Sequence, residues 1–407
     1  MREAVICSPI RTPVGRFGGG LKDLDAETLG GFIVSKLVER TKLDPNVIDE
    51  SIFGNCYPSG ESPALGRTAA LRGGLPVEVA GFQVDRRCGS GLLAVCLGAM
   101  EVQTGAADVV LAGGAESMSS AEFYTPGSVL RWGNRGPVTL YDRLDRARAT
   151  AGSTLYPVEG VMIETAENVR AQYKIPREEQ DEFSWRSHMR ATAAWEQGKF
   201  DAEVVPVPVP GPRGGEGTLF AKDEHFRPDT TMERLASLRP VRQRQDPEST
   251  VTAGNASGEN DGAAACIVTT PERARELGLK PMARFIAWAM AGVHPAYMGL
   301  GPVPATKKLF DRQEKLTLQD MDLIELNEAF AVQVLACTRE WGFKEKDFDR
   351  LNVNGSGISL GHPVGATGVR ILATLLHEME RRNVQFGMES MCIGGGQGIS
   401  AIFERVN

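Results

Sequence analysis

Cys88 sits in the run Val84-Asp85-Arg86-Arg87-Cys88-Gly89-Ser90-Gly91, between a segment that reads as a strand and the start of a helix. Unsatisfied backbone N–H groups and the positive helix end favour a thiolate there, and the flanking glycines let another molecule approach the backbone. A thiolate is a nucleophile suited to acyl transfer. Free cysteines are also common as inert core residues; the helix-start position and the CGSG context weaken that reading without closing it. His362 lies in Asn354-Gly355-Ser356-Gly357-Ile358-Ser359-Leu360-Gly361-His362-Pro363, fixed between a glycine and a proline ahead of a helix. A ring so placed can take a proton from a thiol or donate to an oxyanion. The other histidines, His188, His225, His294 and His377, fall in helical or polar stretches that suit structural or surface roles. Cys392 ends a strand-like run and leads into Ile393-Gly394-Gly395-Gly396-Gln397-Gly398. Consecutive glycine N–H groups suit a developing negative charge, although such a run also makes a tight turn. Asn327, in Asn327-Glu328-Ala329-Phe330, stands where a strand meets a helix; it can hold a water or a carbonyl, or simply cap the helix.

The elements that must position these groups are legible from periodicity. Residues 3–10 read as a buried strand closed by Pro9, and 28–40 as a helix with Leu29, Phe32, Ile33, Leu37 and Val38 on one face. Strand-like runs follow at 50–54, 79–85 and 108–112. Between the last two lies a helix at 89–104 with the stripe Leu92, Leu93, Cys96, Leu97 and Met100. Residues 120–250 are richer in charge, Pro and Gly and contain PVPVPGPRGG at 206–215. They read as an excursion with helices near 161–173 and 177–197, outside the central sheet. A strand resumes at 263–269. Beyond it come a strand ending at Asn327, a helix over 329–341, a strand-like Leu-Asn-Val-Asn at 351–354, a helix over 364–381, and strands at 388–393 and 398–404. The order of reactive turn, helix and strand ending in glycines thus occurs twice. That implies one βα unit used twice, two pseudo-symmetric halves, and a site between them.

Composition narrows the class. The chain has 407 residues, enough for two or three domains, with 42% hydrophobic and 24% charged residues. A net charge of −7 without a basic block argues against nucleic acid as a partner, yet leaves room for a local cationic patch toward a phosphate-bearing ligand. The seven cysteines form no CxxC pair, so no structural zinc site is expected. Reduced cysteines, no signal-peptide pattern and no apolar run of membrane-spanning length imply a cytoplasmic protein without a membrane partner.

Together and in this order, CGSG, NEAF, GHPVGATG and CIGGGQG resemble the active-site motifs of the thiolase family. The match extends to TVTAGNASGENDGAA at 250–264 and MGLGPVPA at 298–305, so the resemblance spans essentially the whole chain. It implies an α/β fold of two pseudo-symmetric mixed-sheet halves in a layered αβαβα arrangement plus a loop domain. The divisions would be 1–119 completed by 250–270, a coenzyme A-binding loop domain at 120–249, and 271–407. It implies thiolytic cleavage of 3-ketoacyl-CoA or the reverse condensation of two acyl-CoAs, with coenzyme A and acyl-CoA as substrates and no metal or permanently bound cofactor. Cys88 would carry the acyl group, His362 would activate it, and Cys392 would be the acid/base for the α-proton. Asn327 would hold a water that forms one oxyanion hole with His362; the N–H groups of Cys88 and Gly394 would form the other. Ser257 would contact the pantetheine arm and Arg227 the adenine end. A homodimer or homotetramer is expected on the same basis.

Three departures from the family pattern bear on this. Asp85 replaces a frequent Asn and would disfavour a thiolate unless Arg86 or Arg87 offsets it. Val161 replaces a His that helps restrict short-chain members, which favours degradation of longer 3-ketoacyl chains over acetoacetyl-CoA synthesis. An aromatic position after Leu238-Arg239-Pro240 is taken by Val241-Arg242 in a slightly longer loop, so coenzyme A contacts there are not carried over. Two other readings exist. Decarboxylating condensing enzymes share the fold but pair the nucleophile with His-His or His-Asn, where this chain has Cys392. A non-catalytic lipid-binding relative would be expected to lack one of the four reactive residues.

Overall fold

The computed structural model describes residues 1–133, 135–211 and 215–406; residues 212–214 of the proline- and glycine-rich run lie outside the described residues. Nine long strands and eight helices carry the site. The strands are β1 (Val5–Arg11), β2 (Glu50–Gly54), β3 (Ala80–Val84), β4 (Val109–Ser117), β5 (Asn260–Thr269), β6 (Pro281–Gly292), β7 (Leu323–Leu326), β8 (Phe386–Ile393) and β9 (Gln397–Arg405). The helices are α1 (Ala26–Thr41), α2 (Leu65–Arg72), α3 (Ser90–Thr104), α4 (Val161–Tyr173), α5 (Arg177–Glu196), α6 (Pro302–Gln313), α7 (Ala331–Glu340) and α8 (Thr367–Arg382).

The strands follow the order β7-β8-β9-β6-β1-β5-β4-β2-β3. β2 runs parallel to β3 and β4, and β7 parallel to β8; the remaining pairs are antiparallel. The two halves are therefore related as β1, β2, β3, α3, β4, β5 and β6, β7, residues 351–354, α8, β8, β9. They are also stitched to each other where β1 pairs with β6 at Val5, Ile6 and Cys7.

Side-chain alternation builds the layers. Along β5, Ala264, Cys266 and Val268 face a core that contains α3 and α8, while Ala263, Ala265 and Ile267 face a second core with α1 and α2. Along β8, Met391 and Ile393 face the first core, and Met388 and Cys392 face a third that includes α7. A strand buried on both faces reads as a continuous apolar run, which is how β4 and β5 read. The order of layers is helix, sheet, helix, sheet, helix.

Helices α3 and α8 form the middle layer and approach closely through Gly91 and Gly368: a Cβ on Gly368 would overlap the backbone N of Leu92. This brings the start of α3, with Cys88, beside the start of α8, with His362. The expected stripe on α3 is only partly right. Met100 is exposed and Leu97 half-buried, while Val95, Ala99 and Val102 are buried, because two sheets enclose most faces of the helix. The expected strand at 351–354 reduces to two isolated parallel bridges, Ile324 to Leu351 and Val353 to Gly355. The side chain of Asn352 takes over the edge of β7, accepting from Leu326 N (2.8 Å) and donating to Leu326 O (2.8 Å).

Candidate active site

The nucleophile turn is fixed by three side-chain bonds to backbone. Asp85 Oδ1 accepts from Arg87 N (2.8 Å), and Ser90 Oγ accepts from Arg86 N (2.8 Å) and donates to Arg87 O (2.7 Å). Arg87 is held at φ 49°, a left-handed conformation unusual for a residue with a side chain. The two arginines then part. Arg86 Nη1 donates to Gln397 Oε1 (3.0 Å), tying this turn to the glycine-rich turn after Cys392, whereas Arg87 lines the cavity.

That cavity, about 210 Å³, is walled by Cys88, His362, Gly394 and Ser257 together with Tyr57, Arg87, Arg148, Val161, Met162, Ile163, Met298 and Phe330 among others. Four of the expected residues thus share one chamber. Cys392 does not reach its wall: it is fully buried and lies close enough to interact electrostatically with Cys88. Arg227 lies outside, in a neighbouring groove with Arg16, Phe17, His225 and Phe226. Gly258 and Glu259 line both spaces, so the groove adjoins the cavity.

His362 is set by its backbone and its ring. Its N–H donates to Asn260 Oδ1 (2.8 Å), and Gly361 beside it has φ 102°, where an added Cβ would press on the Asn260 side chain. Nδ1 lies 2.7 Å from Thr367 Oγ1, whose single proton goes to Pro363 O (2.9 Å). Thr367 therefore accepts, Nδ1 carries the proton, and Nε2 is left with its lone pair. Burial, and then Arg370 and Arg148, hold the imidazolium down to about pKa 3. The ring is a neutral base at pH 7. Asn327 Nδ2 is 3.4 Å from Nε2, and Asn327 Oδ1 is buried without a partner.

The sulfur differs from the sequence expectation of a resting thiolate. Burial pushes the Cys88 thiol above its usual value; the Gly394 N–H, Arg87 and the Cys88 N–H pull it back, and Asp85 opposes them. Desolvation outweighs the helix terminus, so the resting group is a thiol that needs a base. Cys392 is raised further, again by burial and then by Cys88.

Several contributors escaped the sequence reading. Glu116, at the end of β4, accepts from the N–H groups of Cys56 (2.8 Å), Tyr57 (3.1 Å) and Gly365 (2.8 Å) and from Asn55 Nδ2 (2.8 Å). It staples one cavity wall to the turn that follows His362, and burial lifts its carboxyl to about 7. By strand register it occupies the place in the first half that Cys392 holds in the second: Gly54 pairs with Gly114, and Leu326 with Ser390. A lone acid closing an apolar strand was the available signal. Arg148 reaches the wall from the excursion and pairs with Glu259 Oε1 at 2.6 Å. Among the described residues no group of three metal-ligating side chains converges, and no helix is long and apolar enough to cross a membrane.

Known proteins place this arrangement. Residues 4–272 match the family model for the thiolase N-terminal domain and residues 279–405 that for the thiolase C-terminal domain. An acetyl-CoA acetyltransferase of Syntrophomonas wolfei is 43% identical over 403 residues, covering 99% of both chains. An acetyl-CoA acetyltransferase of Bacillus anthracis superposes with a TM-score of 0.92 at 40% identity, covering 100% of this chain and 99% of that one. Human mitochondrial 3-ketoacyl-CoA thiolase gives 0.91 at 38% identity with the same coverage. A half-buried thiol that shares its cavity with a neutral imidazole, in a fold and sequence shared along its whole length with these enzymes, makes the chain a member of the thiolase family and an acyltransferase.

Proposed function

We propose that the chain cleaves 3-ketoacyl-CoA with coenzyme A, and runs the reverse condensation, through an acyl group carried on Cys88. His362 Nε2 takes the Cys88 proton as the sulfur attacks the C3 carbonyl. The C2–C3 bond breaks, the leaving carbon takes a proton from Cys392, and acetyl-CoA departs. Coenzyme A then gives its thiol proton to Cys392 and attacks the acyl-Cys88 thioester; a shortened acyl-CoA is released as Cys88 leaves and takes its proton back from His362. Each carbonyl oxygen gains charge on the way. The N–H groups of Cys88 and Gly394 serve one such oxygen; His362 and a water on the unpartnered Asn327 Oδ1 serve the other. Ser257 on the cavity wall and Arg227 in the adjoining groove mark the course of the pantetheine arm toward the adenine end. Val161, Met162 and Ile163 give an apolar wall without the short-chain His, which favours breakdown of longer chains over acetoacetyl-CoA synthesis. Seven free cysteines fit a reducing cytoplasm.

The observation that carries this reading is the neutral Nε2 of His362 in the same cavity as the Cys88 thiol. Brief exposure to acetyl-CoA or 3-oxohexanoyl-CoA followed by intact-protein mass spectrometry tests it. One acyl adduct is expected on Cys88 and none on the Cys88→Ser variant; an adduct that persists in that variant would move the nucleophile elsewhere.

A further inference from the structure

The peptide unit that joins Gly361 to His362 is held at both of its polar ends by buried side chains. Its N–H donates to Asn260 Oδ1 (2.8 Å), and its carbonyl oxygen, on Gly361, accepts from Arg370 Nη2 (3.2 Å). Gly361 at φ 102° gives the unit an orientation that a residue with a side chain rarely adopts. Asn260 comes from β5 and Arg370 from the first turn of α8. The plane of this peptide, and with it the direction in which the His362 ring leaves the backbone, is therefore fixed from two elements.

Arg370 is a costly group for that clamp. It is fully buried, it stands near the positive end of a helix, and Arg11 repels it. The acids that attract it are not in contact with it. Glu203 and Asp223 are bound by Arg11 at 2.6 and 2.7 Å. Among the described residues, Nε and Nη1 of Arg370 have no hydrogen-bond partner, nor do Glu325 Oε2 and both oxygens of Glu389. Burial lifts these two carboxyls, Glu325 to about 8 and Glu389 well above its usual value, so both are largely uncharged at pH 7. The one hydrogen bond that the guanidinium makes goes to the turn that carries His362. A neutral donor would hold Gly361 O as well. A cation does one thing more: after burial, Arg370 is the foremost influence that keeps a positive charge off the His362 ring.

We propose that Arg370 is a positioning residue for the acyl transfer: it clamps the Gly361–His362 peptide opposite Asn260 and sets its charge against a second charge on the ring, so that Nε2 is both aimed and free to take the Cys88 proton. This inference rests on the proposed role of His362 in thiolysis. The charged and titratable groups around Arg370 are Arg11 on β1, Glu325 on β7, Glu389 on β8, and Glu203 and Asp223 on the excursion. Those around the ring are Arg148, Cys88, and Glu116, which binds the N–H of Gly365.

Two variants of the full chain separate the two actions. Arg370→Lys keeps the charge and loses the reach of the guanidinium; Arg370→Met loses both. Thiolysis of 3-oxohexanoyl-CoA, and alkylation of Cys88 by iodoacetamide, which needs no acyl-CoA, are followed between about pH 5 and 7, below the titration of Glu325. Both variants should lose about tenfold or more in kcat with KM little changed, because the base is misaimed. The acid limb of kcat should move to higher pH in Arg370→Met alone, and alkylation of that variant should slow most at the acid end. An acid limb that stays in place in Arg370→Met overturns the proposal, since a merely structural residue would lower the rate without moving the limb. If Arg370→Met does not fold, Arg370→Lys still decides: a kcat equal to that of the unaltered protein makes the clamp dispensable and overturns the proposal. If alkylation responds as expected and no 3-ketoacyl-CoA is cleaved, the thiolysis fails and the positioning of His362 stands.

Discussion

At the scale of single residues, the chemistry depends on which nitrogen of His362 is bare. Thr367 decides that, since its own proton is committed to Pro363 O. Thr367→Val keeps the shape and removes the acceptor, so the Nδ1–H tautomer loses its support. General-base catalysis contributes roughly 10²–10⁴-fold, and a fall in kcat of about tenfold is expected with KM little changed; an unchanged kcat would mean the ring is fixed by its backbone alone. Burial acts in the opposite sense on Glu389. Both its oxygens lack partners, its register neighbour across β7 and β8 is Glu325, and desolvation followed by Glu325 pushes its carboxyl well above the usual range. A folded-state pKa raised above the unfolded value stabilises fully below the unfolded value, and that stability is lost as pH rises through the folded one. Glu389→Gln carries no such dependence. Its stability relative to the unaltered protein should therefore rise between pH 6 and pH 8. Urea denaturation at the two pH values measures this, and a difference independent of pH contradicts the burial argument.

At the scale of elements, the site exists because α3 and α8 cross with almost no side chain between them. Gly368→Ala puts a methyl group onto the Leu92 backbone, and neither helix can retreat from the sheet behind it. Overpacking of this kind typically costs about 1–3 kcal/mol, and it also separates Cys88 from His362. Thermal unfolding should show a lower midpoint, and acylation of Cys88 should slow; an unaltered midpoint would show that the crossing has slack. The sequence revealed this architecture unevenly. Strands β4 and β5 stood out because each is a short continuous apolar run buried on both faces. Strand β6 passed unnoticed because a bulge between Phe285 and Ala287 resets its alternation, so that no single phase runs through Pro281–Gly292. The Leu-Asn-Val-Asn segment misled for a different reason: a strand-like composition is satisfied by the amide of Asn352 instead of by a backbone ladder. Motifs disclosed Cys88, His362, Asn327 and Ser257. Glu116, Arg148 and Thr367 were hidden, because what each does follows from partners 60 or more residues away or from one proton in a turn.

At the scale of the whole molecule, two surfaces look unfinished. Strand β3 ends the sheet and is paired on one side only, so the chain that leads into Arg86, Arg87 and Cys88 presents an open edge. Such an edge pairs readily with another chain. The excursion exposes large apolar side chains, with Trp132 at 80%, Leu155 at 79%, Phe123 at 65% and Leu140 at 64%. Large apolar side chains left exposed in this number on one excursion are candidates for a contact with another chain. A second copy of the chain is the partner we propose, as a dimer or a tetramer, because closed symmetric assembly buries the same surface on every copy. The charge of the double variant Trp132→Glu and Leu155→Glu would lie inside that contact and repel its symmetry mate. Light scattering after gel filtration should therefore give a multiple of 43.9 kDa for the unaltered chain and a smaller multiple for the variant, with unchanged circular dichroism. If the unaltered chain runs at the mass of one copy at micromolar concentration, the open edge and the apolar excursion are not contact surfaces between copies. The nucleophile turn would then be braced by its own chain alone.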